Sequence, residues 1–128
     1  MGPTTTLNLP TNSKIFHGMN DILSIPLEFS RIPGPRTRTE GPRSAEEFNE
    51  DIFFERVQNA INKKLKITVI LDGSHGYGTS FLEQVFGGAA RMFGSNTILQ
   101  LLEIVTEEEP YLKEDIISYI KDVAKYEC

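Results

Sequence analysis

Seven residues, Lys66 to Asp72 (KITVILD), constrain this chain more than any others. A β-branched run closed by charge on one side and by Gly73 on the other suits a strand buried in a parallel sheet. Helical periodicity lies on both sides of it. Ser44 and Glu47 have capping-box spacing, and Phe48, Ile52, Val57, Ala60 and Ile61 then recur at helical intervals as far as Asn62 or Lys63. Beyond the strand, Ser80 and Glu83 repeat the cap spacing. They open a helix with Phe81, Val85, Ala89 and Met92 in one row and Leu82, Phe86, Ala90 and Phe93 beside it. Gly94 suits the residue that closes this helix. Thr97 to Val105 (TILQLLEIV) reads as a second apolar strand. Pro110, behind Glu107 to Glu109, suits the start of a last helix that buries Leu112, Ile116, Ile120 and Val123. Strands alternating with helices in this way lie largely parallel and are joined by right-handed crossovers.

The first 28 residues add extended segments. Leu7 and Leu9 alternate with polar residues, and Ile22 to Phe29 (ILSIPLEF) reads as an extended stretch that Pro26 confines to an edge or breaks. The expected fold class is therefore α/β: a small mixed, largely parallel sheet of about four strands with helices packed against it, in one domain spanning residues 1–128. Apolar residues at 39% and charged residues at 24% are ordinary for a globular domain. A formal charge of −5 argues against nucleic-acid binding, which needs a basic surface to displace counterions. No apolar run approaches the roughly 18 residues of a membrane helix. Gly2 and Thr6 fit the short myristoylation pattern, but Pro3 crowds the acceptor glycine. The single cysteine, Cys128, forms no internal disulfide, so the cytoplasm is the expected compartment.

Three features bear on chemistry. The loop Gly73 to Ser80 (GSHGYGTS) has the glycine spacing of a phosphate loop, yet Thr79 stands where the lysine belongs, which argues against nucleotide hydrolysis. Gly76 and Gly78 suit a tight turn with positive φ. His75 lies near Ser74 and Ser80 but lacks an orienting group other than Asp72, and Gly-x-Ser-x-Gly is absent, so no catalytic set is expected. His17 gives no metal spacing with His75, and neither a metal nor another cofactor is expected. Arg31, Arg36, Arg38 and Arg43 fall within thirteen residues, beside the helix start at Ser44. At that density guanidinium groups could hold a phosphate, a nucleotide or a carboxylate. Finally, Gly87 and Gly88 sit inside a helix, where glycine costs up to about 1 kcal/mol and usually marks close approach to the backbone.

The segments PGPRTRTEGPRSAEEF, ILDG, GYGTSFLEQVFGGAARMFG and EEPYLKEDIISYI resemble the bacterial STAS-like domains of unknown function, most specifically over residues 29–94. Those domains are similar to the STAS modules of sulfate transporters and anti-sigma-factor antagonists. The resemblance implies a non-enzymatic regulatory or adaptor module that binds a switch kinase of the histidine-kinase-like ATPase fold. Leu71 and Asp72 match the strand end of such modules, and Thr79 or Ser80 falls at the hydroxyl that the kinase phosphorylates. A phosphate there would face the free N–H groups of a helix start. The sequence departs from the pattern in having Gly78 before the hydroxyl pair and Phe81 after it, and in a shorter loop. The partner surface implied is Asp72, Gly76, Tyr77, Gly78, Phe81, Gly87 and Gly88. The rival expectation is an effector that holds an anionic ligand on Arg36, Arg38, Arg43 and Ser44.

Overall fold

The computed structural model describes residues 20–125. Three strands, β1 (Asp21–Ser24), β2 (Ile67–Ile70) and β3 (Leu102–Val105), form one sheet in the order β1-β2-β3. Both pairings are parallel, with Asp21 opposite Ile67 and Ile67 opposite Leu102. The fold is thus α/β with a small sheet as expected, but among the described residues the sheet has three strands rather than about four, and all of them are parallel. Leu7 and Leu9, the first expected extended stretch, lie outside the described residues, as do Gly2, His17 and Cys128.

Two other expected strands are shortened by competing local chemistry. Extended structure over 22–29 stops at Ser24, whose Oγ accepts from Leu27 N–H at 3.3 Å and opens a single helical turn, α1 (Ile25–Glu28). Pro26 sits in that first turn, where its missing N–H costs nothing. Thr97 to Val105 divides as well. Gly94, at φ +100°, starts a separate helix α4 (Ser95–Leu101), and only Leu102–Val105 is strand. Ile98 and Leu101 are buried at a helical spacing of three, which an apolar run conceals as well as it conceals a strand.

The long helices are α2 (residues 45–63), α3 (residues 79–93) and α5 (Tyr111–Ala124). α2 and α3 each contain a π turn, Asn49–Phe53 and Glu83–Gly87, through which the backbone stays right-handed. The extra residue changes which side chains face inward. In α2 Phe53 is fully buried where regular periodicity chose Ile52, and in α3 Met92 is turned out to solvent. α5 is regular, and Leu112, Ile116, Ile120 and Val123 are its buried stripe as expected. The N-cap of α3 lies two residues before the expected one: Gly78 is the N-cap, and Ser80 lies in the first turn without capping anything. Gly78 has φ −75°, so Gly73 (+99°) and Gly76 (+139°) are the loop's positive-φ glycines.

Leu23, Ile67, Val69 and Ile104 lie on the sheet face that packs against the helices, and all are buried. The opposite face carries the exposed Ile22 and Glu103. Between sheet and helices runs an aromatic chain, Phe29–Phe48–Phe53–Phe86, with centroid separations of 5.1, 5.5 and 5.7 Å. Such contacts add about 0.5–1.5 kcal/mol each beyond the area they bury.

Candidate functional site

In open parallel sheets ligands and partners gather where strands end and helices begin. Here that end of the sheet is built by the loops after β2 and β3, and they are tied together. The Asp72 carboxylate accepts the N–H groups of Glu107 (3.0 Å) and Glu108 (2.8 Å), while Gly73 N–H donates to Glu108 Oε1 at 2.9 Å. Asp72 therefore holds the loop that follows β3. Tyr77 is half-buried, its hydroxyl donating to Leu71 O at 2.7 Å and its ring 6.1 Å from that of Phe81. Burial, reinforced by the nearby carboxylates, raises its pKa, so the phenol stays protonated and donating.

Ser74 Oγ bonds to the carbonyls of Gly76 (3.0 Å) and Arg31 (3.3 Å) rather than to His75, which is exposed and anchored by its own N–H to Arg31 O at 2.8 Å. These contacts shape the turn and assemble no nucleophile. Among the described residues no three of His, Cys, Asp and Glu converge in a group that could hold a metal. At the top of the turn stand Thr79 and Ser80, both exposed, in the first turn of α3. Helix starts leave their first N–H groups without intrahelical acceptors, and glycine at the N-cap offers no side chain to fill them.

Phe81, Gly87 and Gly88 are fully inside the fold, a correction to their expected place on a partner surface. Phe81 belongs to the core because helical phase turns it toward Phe48, 6.4 Å away. A Cβ on Gly88 would stand 2.9 Å from Asn49 Nδ2, and one on Gly87 would stand 2.7 Å from Glu83 Oε2. The close approach signalled by these glycines is therefore internal. Asn49, in the π turn of α2, donates to the carbonyls of Gln84 (3.1 Å) and Val85 (3.5 Å) in the π turn of α3. A π turn shifts the hydrogen-bond ladder by one residue, and a neighbouring amide donor supports its carbonyls. Sequence reasoning passed over Asn49, whose only signal was a polar residue where the apolar row of α2 should continue.

The arginine loop is folded, and three of its four charges are already answered. Gly34 N–H donates to Arg43 O at 2.8 Å, Ala45 N–H to Pro35 O at 2.9 Å and Glu46 N–H to Arg36 O at 3.1 Å. Gly34 is required there, since a Cβ would stand 2.2 Å from Pro42 O. Arg36 pairs with Glu83 and donates to Gln84 Oε1 at 3.1 Å. Arg38 reaches Glu50 (2.9 Å) and Asp51 (3.0 Å), and Arg43 reaches Glu47 at 3.4 Å. Ser44 is buried and caps α2 by accepting from Glu47 N–H at 3.0 Å. Glu47 accepts from Arg43 N–H instead of completing the box. Three of the four guanidinium groups thus point to four different carboxylates, and among the described residues they share no anion pocket.

Glu83 receives both Arg36 and, at 3.2 Å, Arg91. Burial pushes its pKa up, but the two guanidinium groups prevail and hold it below the ordinary value of 4.5. Through Arg36 this carboxylate fastens the arginine loop to the second turn of α3, directly beyond Thr79 and Ser80.

No curated protein and no solved structure matches the chain. Residues 51–112 match the family described as STAS-like domain of unknown function (DUF4325). That stretch contains β2, the Gly73–Ser80 turn, α3, α4 and β3, the portion that builds the end of the sheet just described. With a small parallel sheet and helices packed on it, the chain is similar to the STAS-like domain family over residues 51–112.

Proposed function

We propose that this domain is a non-enzymatic adaptor that binds a protein partner through the first turn of α3 and the loop before it, and that phosphorylation of Thr79 or Ser80 controls the binding. The observation that carries this reading is a pair of exposed hydroxyls in a helix start that neither of them caps. Neither hydroxyl is used as a cap, and the uncapped N–H groups around them suit a phosphate. Arg36, held by Glu83 one turn further on, is a cation within the same network. A phosphoryl group would compete with Glu83 for it and so connect modification to the arginine loop. The partner suggested by the STAS resemblance is an ATPase of the histidine-kinase-like fold, acting as the kinase.

The test begins with partner capture from the native host, followed by affinity measurement with well-folded variants. Thr79→Glu or Ser80→Glu should weaken the complex about tenfold or more, by placing charge in a desolvated contact. Both alanine variants should bind like the parent. Unchanged affinity in both glutamate variants would sink the switch.

A further inference from the structure

The two outer edges of the sheet are finished differently. On β1, Asp21 N–H donates to Lys66 O across to the β2 chain, so Ile22 and Ser24 direct their peptide groups outward. Side chains close that edge. Arg56 Nη2 donates to Ile22 O at 2.9 Å, and Glu28 Oε2 accepts from Ser24 N–H at 3.3 Å. Arg56 is itself gripped by Asp21 (2.7 and 2.8 Å) and by Glu28 (2.7 Å). A strand cannot add there without dismantling this clamp.

On β3 the outward groups belong to Leu102 and Ile104, because Val105 O faces inward to Leu71 N–H at 2.9 Å. Leu102 N–H is taken by Ile98 O at the end of α4. Leu102 C=O and both polar groups of Ile104 have no partner among the described residues. Beside this edge, between β3, α4 and α5, lies a groove of about 170 Å³. Leu99, Leu102, Ile104 and Ile117 give it an apolar wall, and the exposed Lys66 and Lys113 also line it. Glu103, the carboxylate in the lining, already accepts the Thr68 hydroxyl at 3.2 Å.

We infer that the β3 edge takes up an extended segment of a partner protein as a fourth strand, and that this segment is apolar toward the groove and carries carboxylates for Lys66 and Lys113. Open backbone groups supply the ladder, alternate side chains fill the groove, and the lysines select an acidic segment although the chain as a whole carries −5. A second copy of this chain suits the edge less well. Antiparallel pairing about Ile104 would set the two Glu103 side chains diagonally across one face, where like charges repel.

The probe is a fluorescein-labelled seven-residue peptide alternating valine with threonine and aspartate, titrated into the full chain and followed by anisotropy. Two further probes carry N-methyl groups on one or the other alternating set of residues. The parent probe should bind saturably, one methylated set should abolish binding, and the other should leave it intact, since only one set faces the edge. Lys113→Glu, at an exposed position, should weaken the parent probe about two- to fivefold. Equal binding by both methylated probes, or no saturation by about 1 mM, overturns the inference. So does a parent chain that light scattering shows to be a dimer broken by Lys113→Glu, which would give the edge to a second copy. Probe binding seen only in a Leu7→Asp, Leu9→Asp chain would give it to the chain's own N-terminal segment, again overturning the partner reading.

Discussion

Ser44 and Ser80 occupy the same sequence pattern, serine three residues before glutamate, and do different work. Ser44 is buried and caps α2, whereas Ser80 is exposed behind the true cap, Gly78. Ser44→Ala should therefore lower stability by about 0.5–2 kcal/mol in urea melts. Ser80→Ala should stay within about 0.5 kcal/mol of the parent. The glycines divide similarly. An added Cβ on Gly78 meets nothing within 4 Å at an ordinary φ, but alanine is a poorer N-cap than glycine, so Gly78→Ala should cost no more than about 1 kcal/mol in the same melts. Gly88→Ala should destabilise, because the new methyl group would crowd the Asn49 amide that joins two helices. If Gly88→Ala proves as stable as the parent, the close packing of α2 on α3 described above is wrong.

At the scale of elements, the two π turns and Asn49 act as one joint. Asn49→Leu keeps the branched shape but removes one donor to Gln84 O and Val85 O, leaving them Gly88 N–H alone. The expected cost is about 0.5–1.5 kcal/mol by denaturant unfolding. This joint also explains what the sequence could and could not convey. The β2 run, the buried stripe of α5 and the ends of α2 and α3 at Lys63 and Gly94 were legible, because period, caps and glycine each pointed the same way. The π turns were not, since one extra residue leaves composition unchanged and only rotates the pattern, so that Phe53 replaces Ile52 in the core. α4 was hidden because seven apolar-rich residues running into a strand have no clear period. At the candidate site, the hydroxyls of Thr79 and Ser80 could be found from the turn. The carboxylate partners of Arg36 and Arg38 could not, because Glu83, Glu50 and Asp51 are brought to them only by tertiary packing.

Across the molecule, the Arg36–Glu83–Arg91 network links the arginine loop to the helix on which the proposed contact lies, and its charge state should be visible in pH dependence. A carboxylate whose folded pKa is depressed stabilises the fold above its unfolded value near 4.5 and loses that contribution as pH falls through the folded value. Glu83→Gln should therefore be less stable than the parent at pH 7 and lose less of its stability on acidification, with the two curves converging below the folded pKa. Parallel curves across that window, in thermal melts from pH 7 to pH 3, would remove Glu83 from the network. The π turns carry a consequence for chain length itself. Each residue in a helix advances the azimuth by about 100°, so deleting one residue within 83–87 would leave a more regular helix whose two halves no longer agree in direction. If residues 88–93 kept their place, Phe81 and Leu82 would swing off the core while Thr79 and Ser80 turned toward another quarter of the surface. The number of residues between the turn and Gly88 is thus a pointing device, and it aims the hydroxyls by counting rather than by contact.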